Sequence, residues 1–111
     1  PVRPEQLGTF VRALPVMGVR GVNVTVPHKL AVMGHLDELT PGAAAVGAVN
    51  TIVVGNDNRL IGHNTDAAGI IGPAGALMAG RPVLLIGSGG AARAAASAAR
   101  ASGASALWVM A

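Results

Sequence analysis

The sequence predicts an α/β protein, and three observations carry that expectation. VNVTV (22–26) alternates apolar and polar residues with the period of a strand. Two apolar runs, AVNTIVV and LIGHNT, flank GNDNR (55–59), the pattern of two strands joined by a polar turn. From Arg81 to Ala111 the chain reads strand, glycine turn, helix and strand, the order of a parallel βαβ unit with a right-handed crossover.

Each element follows in order. Between Pro4 and Leu14 apolar residues recur at 7, 10, 11 and 14, one face of a helix with Pro4 near its start. VRGVNVTV (19–26) follows as a strand that Pro27 closes. HKLAVMGHLDEL (28–39) has helical character and fades towards Thr40 and Pro41. PGAAAVG (41–47) is a short helix, with Thr40 as its cap and Pro41 at its first position. After the hairpin, Asp66 opens a helix over DAAGIIGPAGALMAG (66–80), which Pro73 is expected to interrupt or kink. RPVLLIG (81–87) and ASALWVMA (104–111) are expected as fully buried strands on either side of the last helix. The expected boundary falls near residue 66. Residues 1–65 belong to one α/β domain, and 66–111 form a connector helix and the start of a second.

Composition narrows the function classes. Half of the 111 residues are hydrophobic, yet Phe10 and Trp108 are the only aromatic ones. Charged residues make up 12%, against about 25% in an ordinary soluble domain, so surfaces covered by other parts of a larger protein are expected. The chain starts without a methionine and stops inside an apolar run, and it reads as a piece of a longer one. Its net charge of +3 comes mostly from scattered arginines, with no basic run and almost no aromatic side chain for base stacking. Nucleic acid is therefore excluded as a partner. No apolar stretch runs unbroken for the ~20 residues of a membrane span, which excludes a membrane partner. The absence of cysteine and of a secretory leader pattern points to the cytoplasm.

VLLIGSGGAARA (83–94) holds the pattern G-x-G-x-x-A between a strand and a helix, the context a dinucleotide site requires. Gly87 permits a tight turn, Gly89 lets the backbone approach a pyrophosphate, and Ala92 is small enough for close helix–strand packing. The residue that separates NAD from NADP lies about 20 positions past the turn, where the chain ends, so these residues leave both cofactors open.

Upstream, polar residues stand at or near the ends of strand-like runs, where α/β sheets bind ligands: Thr25 and Lys29, Asn50 with Thr51, and Asn64-Thr65-Asp66. Lys29 is the only lysine among eight cations. Lysine can release a proton when its pKa is depressed, whereas arginine cannot. Together these groups offer one amine, one carboxylate and neutral hydrogen-bonding groups, which suits a polyhydroxylated substrate. A lysine–carboxylate pair beside a nicotinamide would handle the hydroxyl proton that is lost as hydride leaves carbon. His28, His35 and His63 lack a metal-ligand arrangement and read as structural or surface residues, so no metal is expected; Asp57 and Asn58 are turn residues.

At these residues the sequence resembles the shikimate dehydrogenase family. The matching pieces are G-V-N-V-T-V-P-H-K (21–29), G-A-V-N-T (47–51), G-H-N-T-D (62–66) and G-S-G-G-A-A-R-A (87–94), in the family's order. The resemblance implies the C-terminal part of a substrate-binding α/β domain, followed by the first βαβ unit of a Rossmann NADP-binding domain. It implies reversible reduction of 3-dehydroshikimate to shikimate with NADPH, in the chorismate pathway to aromatic amino acids, by a monomer or homodimer. Lys29 would then be the acid/base, paired with Asp66, and Thr25, Asn50 and Asp66 would hold substrate hydroxyls. Gly87, Ser88, Gly89, Gly90 and Ala91 would cradle the NADP pyrophosphate. Lys29 and Asp66 are coupled, and either could be the formal base.

The family's Ser-x-Ser segment, its 2′-phosphate loop and its later glutamine and tyrosine segments have no counterpart in these residues. Pro41 also stands where some members carry a carboxylate near the cofactor. The chain alone is therefore expected not to turn over. A quinate or quinate/shikimate dehydrogenase would share the motifs, and a non-catalytic dinucleotide-binding or sensing domain could keep the fold.

Overall fold

A computed structural model describes all of residues 1–111, which divide into two compact units, Pro1–Asn64 and Thr65–Ala111. In the first unit, a 3-10 turn over Pro4–Gln6 leads into α1 (Leu7–Ala13), and β1 (Gly21–Asn23) follows. A 3-10 helix over Ala31–His35 precedes β2 (Glu38–Leu39), α2 (Pro41–Val46) and the hairpin of β3 (Thr51–Val54) and β4 (Leu60–His63). The sheet order is β1-β3-β4-β2, with β3 antiparallel to both neighbours and β2 parallel to β4.

The core of this unit gathers Leu7, Val11, Leu14, Val32, Ile52, Val54 and Leu60. Three of the four apolar positions expected on the first helix face are buried. Phe10 is the exception at 37% exposed, because it lines an open cavity of about 280 Å³ beside Val2, Val22 and His28. The hairpin forms where the alternation requires it, with Ile52 and Val54 inward and Asn58 in the left-handed conformation of the turn (φ 64°). Thr40 caps α2 through its hydroxyl, which accepts from the Ala43 N–H at 3.3 Å, and Pro41 takes the first helical position.

Residues 28–39 depart from the sequence expectation. Only Ala31–His35 is helical, as a 3-10 helix, and Glu38–Leu39 is a strand. Non-local pairing overrides the helical pattern: the Asp37 N–H donates to the Leu60 carbonyl, and the Asp37 carboxylate accepts from the Leu60 N–H at 2.7 Å. Beside this pairing sits Gly62. A β-carbon there would lie 2.6 Å from Leu36 Cδ1, 2.8 Å from Val49 Cγ2 and 2.9 Å from Leu39 Cδ2. Crowding the buried Val49 and the partly buried Leu36 and Leu39 at once costs about 1–3 kcal/mol. Gly62→Ala is expected to lower the denaturant midpoint of the protein accordingly; an unchanged midpoint would show that the core gives way freely.

The second unit comprises α3 (Asp66–Met78), β5 (Pro82–Ile86), α4 (Gly90–Ala101) and β6 (Ala106–Met110). β5 and β6 pair in parallel, with α4 connecting them and packing on both, while α3 packs on α4. Pro73 does not interrupt α3, which is continuous from Asp66 to Met78. Alanines 94, 98 and 99 form the buried side of α4, and their small size lets the helix sit close to the sheet.

The two strands are not fully buried, contrary to the sequence expectation. Leu85 is buried, but Leu84, Ile86 (78% exposed), Trp108 (65%) and Met110 are exposed, and so is Val109, the partner of Leu85 on the other side. A parallel strand is buried on both faces only when helices cover both. In this two-stranded sheet Leu84 pairs with Trp108 and Ile86 with Met110, and this row lies on the opposite side of the strands from Leu85.

Candidate functional site

Strand direction decides where the polar residues of the first unit collect. β1, β2 and β4 run one way and β3 the other. The C-terminal ends of β1, β2 and β4 therefore share one edge with the start of β3. That edge is where α/β sheets carry their ligand sites.

Thr25 and Lys29 lie just past β1, Asn50 just before β3 and Asn64 just past β4. Both Thr25 and Lys29 sit further along than the alternation indicates. β1 ends at Asn23, so Thr25 is in the exposed turn that follows, and Lys29 lies in a turn before the 3-10 helix rather than in a first helical turn.

Backbone hydrogen bonds hold this corner together. The Val24 N–H donates to the Asn50 carbonyl at 2.7 Å, and the Val49 N–H donates to the Lys29 carbonyl at 2.8 Å. The Asn50 N–H donates to the His63 carbonyl at 3.0 Å, tying in the end of β4. Within the loop, the His28 N–H bonds the Thr25 carbonyl, and the His28 ring nitrogen Nε2 bonds the Val2 carbonyl at 2.7 Å. The Asn64 amide donates to the Ala48 carbonyl at 2.9 Å. The backbones at 24–29 and 48–50 are thereby joined, which brings Thr25, Lys29 and Asn50 to one place. Asp66 opens α3 as its first helical residue, where a carboxylate suits the positive end of the helix, and it belongs to the second unit.

The glycine turn of the second unit connects β5 to α4. Gly87 adopts φ 134°, a conformation that side-chain-bearing residues rarely take, and its N–H donates to the Met110 carbonyl at 2.7 Å. Gly89 precedes the first helical residue, with extended backbone, and a β-carbon there would meet nothing within 4 Å beyond its chain neighbours. The space in front of it is open to a ligand. The first N–H groups of α4 lack partners within the helix and, with its dipole, favour an anion. Beside the turn is a cavity of about 260 Å³ lined by Gly87, Ser88 and Arg93 and otherwise by the apolar Leu85, Ala92, Ala96 and Val109. The glycine turn and the start of α4 fit a pyrophosphate.

Among the expected cofactor residues, Gly87 and Ser88 line the cavity, Gly89 and Ala91 are exposed and Gly90 is buried. Arg93, which carried no assignment from sequence, is exposed in the first turns of α4 and lines the same cavity. No group of three or more His, Cys, Asp or Glu is placed to hold a metal ion, and no helix is long and apolar enough to cross a membrane.

Comparison with known proteins adds the family. Residues 1–52 match the model of the shikimate dehydrogenase substrate binding domain. A curated shikimate dehydrogenase (NADP(+)) of Bacillus cereus is 50% identical over 97 residues, covering 84% of this chain and 35% of that protein. This chain belongs to the shikimate dehydrogenase family. It spans about a third of the length of the curated relatives it matches.

Among solved structures, shikimate 5-dehydrogenase from Thermus thermophilus in complex with shikimate superposes with a TM-score of 0.81 at 38% identity. That match covers 96% of this chain and 42% of the Thermus chain. The fold is that of the family's substrate-binding domain and the start of its Rossmann domain. A 5-ketofructose reductase of Gluconobacter shares the fold at TM-score 0.81 and 36% identity, over 97% of this chain and 39% of its own. Fold alone thus does not fix the substrate.

Proposed function

We propose that the complete protein catalyses the reversible reduction of 3-dehydroshikimate to shikimate with NADPH, in the route to aromatic amino acids. The observation that carries this reading is the 50% identity over 97 residues to a curated NADP-dependent shikimate dehydrogenase. The aligned chain includes the VTVPHK corner, whose backbone is tied to Asn50.

In this reading Thr25, Lys29 and Asn50 receive the substrate hydroxyls at the ligand-bearing edge of the first sheet. Asp66 is assigned as the carboxylate partner of Lys29, on the strength of the G-H-N-T-D match. The Gly87–Ala91 turn and the first N–H groups of α4 would hold the pyrophosphate. NADPH, when bound, supplies the hydride that the ketone carbon accepts. Lys29, protonated at Nζ, delivers the matching proton to the ketone oxygen, so C=O becomes CH–OH. In the oxidative direction the Lys29–Asp66 pair takes up the hydroxyl proton. The protein is assigned to the cytoplasm as a monomer or homodimer that works on small molecules, without nucleic acid, membrane or metal.

The test is the full-length protein incubated with shikimate or quinate, each with NADP or NAD, while reduced nicotinamide is followed at its absorbance maximum. Shikimate with NADP is expected to give the highest kcat/KM. Faster turnover of quinate would reassign the substrate, and no oxidation of shikimate in any combination would remove the proposal.

A further inference from the structure

We propose that Asn64 is a positioning residue that holds Lys29 in place through the peptide between Ala48 and Val49. The inference rests on the assignment of Lys29 as the proton donor. Asn64 lies just past β4, an inner strand of the first sheet, and its side-chain amide donates to the Ala48 carbonyl at 2.9 Å. A carbonyl oxygen only accepts, so the limb of the amide that meets it is the nitrogen. On the same peptide, the Val49 N–H donates to the Lys29 carbonyl at 2.8 Å.

A peptide unit is planar, and in the trans form taken here its C=O and N–H point in opposite directions. The Ala48–Val49 peptide is therefore a short rigid bar with Asn64 at one end and Lys29 at the other. Ala48 and Val49 are both fully buried, where an unmade backbone bond is costly. A bond accepted by the carbonyl also polarises the N–H of the same unit and strengthens the bond it donates.

The two ends of the bar differ in their support. Asn64 continues from β4, which is paired with β3 on one side and β2 on the other. Lys29 stands in a turn between β1 and the 3-10 helix, where the bonds from His28 to Thr25 and from Val32 to His28 are local. The Val49 N–H joins the Lys29 backbone to a segment far along the chain, and Asn64 fixes that segment to the sheet. Asn50, the next residue, has separate support: its carbonyl accepts from the Val24 N–H, and its own N–H donates to the His63 carbonyl. Loss of the Asn64 amide therefore loosens Lys29 more than Asn50, and slows proton transfer more than it weakens substrate binding.

The test uses the full-length protein with shikimate and NADP, in single turnover so that product release does not mask the chemical step. Asn64→Leu keeps the approximate shape of the side chain and removes the donor. It is expected to lower the rate of shikimate oxidation about 3- to 10-fold, the worth of one modest hydrogen bond. KM for shikimate and KM for NADP should each stay within about twofold of the parent. In a Lys29→Ala background, Asn64→Leu should add less than about a twofold change in rate, because the group it positions is gone.

An unchanged rate in Asn64→Leu, an equal loss in both backgrounds, or a loss that falls on KM for shikimate instead would overturn the positioning role while leaving the functional reading in place. If Lys29→Ala itself left the rate unchanged, the assignment of Lys29 would fall and the Asn64 role with it. A thermal melt shows whether each variant is folded. If Asn64→Leu is not, Asn64→Ala in the same two backgrounds decides the question by the same outcomes.

Discussion

Lys29→Ala in the complete protein is expected to lower kcat for shikimate oxidation by about 10²–10⁴-fold, the usual contribution of a positioned proton donor or acceptor. KM for shikimate should move far less, because Thr25 and Asn50 still provide hydrogen-bonding groups at the same edge. Lys29→Arg should not rescue the rate, since a guanidinium keeps its proton at any working pH. Steady-state kinetics of the two variants check this. A Lys29→Ala enzyme with kcat within threefold of the parent would remove Lys29 from the chemistry. The backbone argues that such a loss would be local. Lys29 is held through its carbonyl, which accepts from the Val49 N–H, and that bond survives truncation of the side chain.

The second large effect is expected at the glycine turn. Gly89 stands at the cap position of α4 with extended backbone, and a β-carbon there would meet nothing within 4 Å beyond its chain neighbours. Aspartate is among the preferred residues at such a cap, so Gly89→Asp should leave the melting temperature unchanged or raise it slightly. The same carboxylate would stand where a pyrophosphate is expected. Two like charges about 4 Å apart near a protein surface repel by about 4 kcal/mol, so NADP affinity should fall by at least about 100-fold. Shikimate binding should be preserved. Titration of NADP followed by fluorescence, together with a thermal melt, separates the two quantities. Normal NADP affinity in a folded Gly89→Asp protein would show that the dinucleotide does not use this turn.

Features written in short-range chemistry were legible in the sequence. The hairpin follows from alternation around Gly55–Arg59, the α2 cap from Thr40-Pro41, and the glycine turn from its place between an apolar run and an alanine-rich helix. Features set by partners far along the chain were not. Residues 36–39 look helical locally but follow Leu60–Gly62 into the sheet. The exposure of Ile86 and Trp108 depends on what covers the second face of their sheet, which no local pattern reports.

The candidate site divides the same way. Thr25, Lys29 and Asn50 could each be picked out by type and by position near a strand end. Their convergence depends on backbone bonds between residues 24 and 50 and between 29 and 49, which sequence spacing does not reveal. Asn64 could be noticed only as a polar residue at the end of a strand-like run; its bond to the Ala48 carbonyl becomes visible once β4 is in register.

The central claim, that the edge formed by the ends of β1 and β4 and the start of β3 receives shikimate, is tested most directly by a crystal structure of the full-length protein with shikimate bound. The expected result is a shikimate molecule with its hydroxyl oxygens within about 3 Å of Lys29 Nζ and of the Asn50 side-chain amide. Shikimate bound elsewhere, or bound at this edge without contact to Lys29, would contradict the account.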